Sequence, residues 1–115
     1  MSAVLIQGDD RTIDIDLGIN YNDCADIQVD VVVNGVVITT YKKSNSNAYK
    51  VFLSTSNGNG TWAYIKLYRA ETATYTVNAE VKLQVTLSIN DTGFASNYRN
   101  ETQLINIGNV GKRYT

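Results

Sequence analysis

The chain has no histidine, no proline and a single cysteine in 115 residues. Without histidine, most hydrolytic triads, His-ligated metal sites and His-based pH switches are excluded. One cysteine rules out a disulfide within the chain and any Cys-cluster metal site. With no second thiol or imidazole to activate it, Cys24 reads as a small buried or half-buried thiol. Neither sign of charge dominates: ten Lys+Arg face eleven Asp+Glu, for a net charge of -1. That balance argues against nucleic acid held by bulk charge. No segment approaches the roughly 18 apolar residues of a membrane span. The apolar run at residues 3–6 is short and has no basic residue before it, unlike a secretory signal. The expectation is a protein made in a reducing cytoplasm, and kept there or assembled there into something larger. Neither a membrane nor a nucleic acid is expected as partner. The length fits one domain, and 43% hydrophobic residues are enough to fill a core.

What the chain does have is period-two alternation. Over residues 77–89 every odd position is apolar and every even one polar. Val77, Ala79, Val81, Leu83, Val85, Leu87 and Ile89 thus line the dry face of one long strand. Asn34-Gly35 sits between two β-branched runs, a hairpin signal because a type I′ turn needs positive φ at both central residues. A regular two-residue hairpin opposes Val33 to Val36 and Val31 to Ile38. It places Val36 and Ile38 on the face of Ile27, Val29, Val31 and Val33. Shorter strands are expected over 11–17 (Ile13, Ile15 and Leu17 inward), 49–54 (Tyr49, Val51 and Leu53 on one side), 61–68 and 102–107. Residues 57–60 form a turn by composition. Residues 69–73 are the one plausible helical turn. The pattern of about seven strands predicts an all-β antiparallel sandwich or small barrel. Residues 1–90 form its core. Residues 91–115 add a C-terminal strand and arm of the same domain, because Leu104, Ile105 and Ile107 cannot all face one side of a regular strand.

No catalytic constellation emerges. Asp14 and Asp16 share the wet face of one strand, as solvated carboxylates ordinarily do. Asn20, Asn22, Asp23 and Asp26 offer oxygen ligands, but without an EF-hand loop they read as a turn. The glycosylation triplets at Asn59, Asn90 and Asn100 occur at about the frequency that chance gives in so Asn- and Thr-rich a chain. No enzyme activity, metal or cofactor is expected. Two features exceed this baseline. Residues 1–30 hold seven acids and one base, and residues 31–115 hold four acids and nine bases. Such opposed charge either pairs across the domain's own sheets or steers copies and partners together. The second feature is the strand at 61–68. If Ala63, Ile65 and Leu67 face the core, then Trp62, Tyr64, Lys66 and Tyr68 share the other face. With Arg69 these form the expected partner-binding surface, since large aromatics on a wet face mark interfaces. The alternative for this row is a strand covered by the C-terminal segment or buried on both faces. Aromatics with a lysine also suit stacking on sugars or bases.

The order of these elements resembles the Ig-like β-sandwich of bacteriophage virion proteins. This module occurs at the N-terminus of upper baseplate proteins and in head-fibre and capsid-decoration proteins. An acidic strand over 9–17 is followed by Ala25-Asp26-Ile27-Gln28-Val29 and a hairpin. Then come Gly60-Thr61-Trp62-Ala63-Tyr64-Ile65-Lys66-Leu67, the turn Arg69-Ala70-Glu71-Thr72-Ala73 and the long alternating strand. Ala70-Glu71-Thr72-Ala73 is the nearest local match, and the resemblance covers roughly residues 9–90. The family's proline and glycine around the turn are absent here. The resemblance implies a virion structural role, docking on capsid or tail proteins and on copies of itself, without catalytic or ligand-binding residues. Head decoration or fibre anchoring is favoured over a tail or baseplate position, and a carbohydrate-binding sandwich is the reading from another class.

Overall fold

A computed structural model of the protein describes residues 5–55, 60–90 and 98–112. Among the described residues, eight strands, a 3-10 turn (Tyr21–Asp23, between β2 and β3) and one α-helical turn occur, in the order β1 (Leu5–Ile6), β2 (Arg11–Asp16), β3 (Cys24–Val33), β4 (Val36–Lys42), β5 (Phe52–Ser54), β6 (Trp62–Leu67), α1 (Arg69–Thr72), β7 (Glu80–Asn90) and β8 (Tyr98–Gly111). They form two sheets, a five-stranded one ordered β1-β8-β7-β3-β4 and a three-stranded one ordered β2-β6-β5. The fold is all-β. The larger sheet is mixed rather than purely antiparallel, because β1 pairs with β8 in parallel.

Alternation builds the core. From β7 the odd residues Val81, Leu83, Val85, Leu87 and Ile89 point inward, and β3 answers with Ile27, Val29 and Val31 in register against Leu87, Val85 and Leu83. The smaller sheet contributes Ile13, Ile15, Leu17, Ala63, Ile65 and Leu67. Cys24 is buried and free in the same core. Side chains of one parity leave water together, so the hydrophobic gain of each strand is concentrated on one face.

Three local departures from regular alternation have physical causes. The long strand starts at Glu80, not Val77, because Asn78 takes a φ of 71° and turns the chain; Val77 is only half-buried. In the hairpin, Val33 opposes Val36 as expected, but a bulge shifts the register so that Val31 opposes Thr39. Ile38 becomes the extra residue and is 44% exposed, and Val36, next to the turn, is 61% exposed, so neither joins the core as expected; Val37 is 51% exposed. The third departure is in β8. A bulge between Val81 and Lys82 leaves Ile107 unpaired beside Gly108, whose φ is 125°. Ile105 and Ile107 lean on the core while Leu104 faces out. One extra residue inverts the parity beyond it, and so Val110 is buried although it lies an odd number of positions from Ile107.

The C-terminal strand is therefore longer than the expected 102–107 and pairs with β7 from Tyr98 to Asn109. The 49–54 segment is shorter as a strand than expected: Val51 is buried, while Tyr49 and Leu53 are exposed and only Phe52–Ser54 pairs with β6. Asn57, Asn59 and most of the polar stretch after Asn90 lie outside the described residues.

The α1 turn is held by the dipeptide Glu71-Thr72. The Thr72 hydroxyl donates to the Asp9 carbonyl at 2.8 Å and accepts from the Gly8 N–H at 3.1 Å. Glu71 accepts from the Thr39 hydroxyl at 2.7 Å. The turn thereby ties the start of β2 to the edge strand β4.

Candidate docking face

The outer face of the three-stranded sheet carries the site. Register sets Asp14 opposite Tyr64, Asp16 opposite Trp62 and Thr12 opposite Lys66. On the other flank Phe52 opposes Tyr64, and the two rings stack at 5.2 Å between centroids with 19° between planes. Inward packing of Ala63, Ile65 and Leu67, all fully buried, forces Trp62, Tyr64 and Lys66 to this outer side. Each of the three is half-buried rather than fully exposed. The row is thus neither core nor bare surface, and neighbours on β2, β5 and β8 cover part of it.

The five residues expected to bind a partner separate into two groups. Trp62, Tyr64 and Lys66 share the face. Lys66 turns its ammonium over the ring of Tyr68, 5.1 Å from the centroid, and so points along the strand away from Asp14. Tyr68 lies just beyond β6 and is half-buried. Arg69 opens α1 and is exposed; its guanidinium lies 3.7 Å from Asp10, and its backbone N–H donates to the same carboxylate at 2.8 Å. This pair joins the acidic segment 1–30 to the basic remainder, at a solvated position where such pairs contribute little.

Sequence reasoning missed three members of the face. Asp14 and Asp16 read as ordinary solvated carboxylates, and Phe52 was passed over in favour of its neighbours Val51 and Leu53. The missed signal was pairing: strand alternation gives a face, but only register shows that each carboxylate adjoins an aromatic ring. Two open depressions result. One, about 460 Å³, is lined by Asp14, Asp16, Trp62, Gln103 and Ile105. The other, about 500 Å³, is lined by Thr12, Asp14, Leu53, Ser54 and Tyr64. Asp14 stands between them. Gln103 of β8 donates to the Asp16 carbonyl at 3.2 Å and closes one side of the first depression.

Chemically the face offers ring surfaces, carboxylate acceptors and one ammonium. It can stack on flat or apolar groups and accept hydrogen bonds from hydroxyls, amides or guanidinium groups. The oxygen-rich turn is occupied with local structure: Asn20 caps a 3-10 turn over Tyr21–Asp23, and Asp26 accepts from the backbone N–H groups of Ile27 and Ser44 and from the Ser44 hydroxyl. Cys24 lies beside this turn with its thiol pKa pushed up, first by burial and then by Asp23, while Lys43 acts in the opposite sense. A thiol so placed stays protonated at neutral pH and is a poor nucleophile. Comparison with known protein families, curated proteins and solved structures finds no match to this chain.

Proposed function

We propose that the protein is a non-enzymatic structural component of a bacteriophage virion, a small module that decorates the capsid or anchors head fibres by docking through the outer face of the β2-β6-β5 sheet. The observation that carries the docking role is the paired arrangement of Trp62 and Tyr64 with Asp16 and Asp14, flanked by Phe52. Half-buried aromatics bounded by polar groups are the composition of a hot spot within a wet rim. The viral setting rests on the family resemblance of the sequence. We further assign the fold as Ig-like. If β2, β6 and β5 are strands B, E and D, and β8, β7, β3 and β4 are G, F, C and C′, the two sheets have the pairing of an Ig sandwich. The parallel element is then confined to the two-residue edge strand β1. Partners are other virion proteins, of the capsid or of the tail, and copies of the same chain. The test is mass spectrometry of purified particles, where the chain should appear in fixed ratio to the major capsid protein. A chain found only in the soluble fraction overturns this reading.

A second reading is favoured by the depressions themselves. Rings alternating with carboxylates along open hollows also suit stacking on sugar rings with hydroxyl hydrogen bonds, so a carbohydrate-binding sandwich would use the same face. A glycan array decides: specific binding lost on Trp62→Ala supports it, and a blank array removes it.

A further inference from the structure

Three Asn-Gly pairs occur in the chain, at Asn34, Asn57 and Asn59. In such a pair the following backbone nitrogen can attack the asparagine side chain, because glycine carries no side chain to obstruct the approach. Asn34 and Gly35 are both exposed, so burial does not keep water from them. The hairpin imposes a defined geometry instead. Val33 pairs with Val36 across the two-residue loop, and Asn34 and Gly35 have φ of 51° and 81°. Positive φ at both central residues makes the turn type I′, with ψ of about +30° at the first. At that ψ the Asn34 Cβ and the Gly35 nitrogen lie on nearly opposite sides of the Cα–C bond. Closing a five-membered ring through Cγ needs them eclipsed. The side chain is also held toward β7: its oxygen accepts from the Glu80 N–H at 3.0 Å, while the Asn34 N–H donates to the Glu80 carbonyl at 2.8 Å.

We propose that Asn34 is a site of spontaneous covalent modification that the closed hairpin holds off, so that conversion at Asn34 records opening of the turn. The step needs only water as co-reactant, and nothing is oxidised or reduced. When the turn opens, the Gly35 nitrogen gives its proton to solvent and bonds to Asn34 Cγ. The Cγ–Nδ2 bond breaks, and Nδ2 takes a proton from solvent and leaves as ammonia. Water then opens the imide. Cleavage between Cγ and the Gly35 nitrogen leaves aspartate. Cleavage between the original backbone carbonyl and that nitrogen leaves isoaspartate, whose chain continues through Cγ. The two products differ in what they do to the fold. Aspartate keeps an oxygen to accept from the Glu80 N–H. Isoaspartate puts one more carbon into the main chain, so the turn can no longer meet both groups of Glu80 while Val33 opposes Val36. The change runs one way and loosens the turn that joins β3 to the edge strand β4.

The test incubates the full chain at neutral pH, folded and in concentrated urea, and follows each Asn-Gly pair by peptide mass spectrometry. In urea all three pairs should convert. In the folded chain Asn34 should convert slower by about tenfold or more, since local opening must precede the reaction. Its rate should rise in step with hydrogen exchange of the Asn34 N–H, read by NMR, as mild urea is added. Equal rates at Asn34 in the folded and unfolded chain would overturn the proposal, and so would a rate that stays constant while exchange quickens. Asn34→Asp separates the effect of charge from that of chain length. It should fold and keep slow amide exchange at residues 34 and 80, whereas the purified isoaspartate product should exchange quickly at both. Slow exchange in that product would overturn the one-way loosening.

Discussion

Two buried tyrosines illustrate how one hydroxyl decides the worth of a residue. Tyr41 is fully buried and donates to the Lys66 carbonyl at 2.8 Å. Tyr75 is nearly as buried, 2% exposed, yet its hydroxyl has no hydrogen-bond partner among the described residues. Removing a satisfied hydroxyl strands its partner, whereas removing an orphan relieves a desolvated group. Tyr41→Phe should therefore cost about 1 kcal/mol and Tyr75→Phe should be neutral or stabilising by a similar amount, as read by urea denaturation. Burial, then Glu71, then Tyr49 push the Tyr75 pKa up to about 12. Burial and Glu71 raise that of Tyr41 in the same direction. A folded pKa above the unfolded value near 10 means that the folded state holds the proton more tightly. The associated stability is complete below pH 10 and is lost as pH rises through about 12. Alkaline titration followed by circular dichroism should show unfolding in that window, shifted upward in Tyr75→Phe.

Among the elements, β7 is the most constrained, lying between β8 and β3 with its odd residues buried. Leu83→Asp would place a carboxylate opposite Val31 and Ile105 in an apolar layer, costing several kcal/mol. Its chain should be unfolded or largely so by circular dichroism at temperatures where wild type is native. Strict alternation made this strand readable from sequence, and the same holds for Ile13 and Ile15 on β2 and for Leu17 just beyond it; the α1 turn also falls where the sequence placed it. The two bulges differ in this respect. In the hairpin, nothing in Val31-Val32-Val33 or Val36-Val37-Ile38 announces which residue will be left unpaired, because neighbouring registers present similar β-branched side chains; in β8, Gly108 inside a strand was the available signal. The choice depends on strands distant in sequence. That is why Ile38 was expected inside and is found outside, and why the length of β8 was underestimated; Val36 keeps its expected partner Val33 and is exposed at the end of the hairpin. The candidate face was half legible for the same reason: its aromatic row follows from period two, whereas its carboxylates and Phe52 enter only through register.

For the whole molecule, the docking face and the most buried strands belong to different sheets: β2-β6-β5 carries the face, while β7 and β3 lie in the larger sheet. A change on the outer face should therefore leave the larger sheet intact. Trp62→Ala should lower incorporation into particles, by roughly 2 kcal/mol or more if Trp62 is a hot spot. It should barely move the melting temperature, since the ring is only half-buried. Unfolding of the monomer with normal docking of the folded fraction would instead make Trp62 a packing residue.

The parallel pairing of β1 with β8 also has a mechanical meaning. Leu5 lies beside Val110 and Ile6 beside Gly111, and the Gln7 N–H extends the contact to the Gly111 carbonyl at 3.0 Å. Tension that draws the chain backward from Leu5 and forward from Gly111 runs along these strands in opposite senses. The hydrogen bonds between them are then sheared together rather than peeled one at a time, so the first resistance to stretching is concentrated in this short clasp. A β-carbon at Gly111 would meet only the far end of the Ile6 side chain, at 2.9 Å, which can move aside, so the clasp rests on its hydrogen bonds. In a single-molecule stretching experiment, Gln7→Pro, which removes the N–H donated to the Gly111 carbonyl, should let the clasp yield at lower force, while the larger sheet behind it, held by β7 and β3, keeps its own resistance.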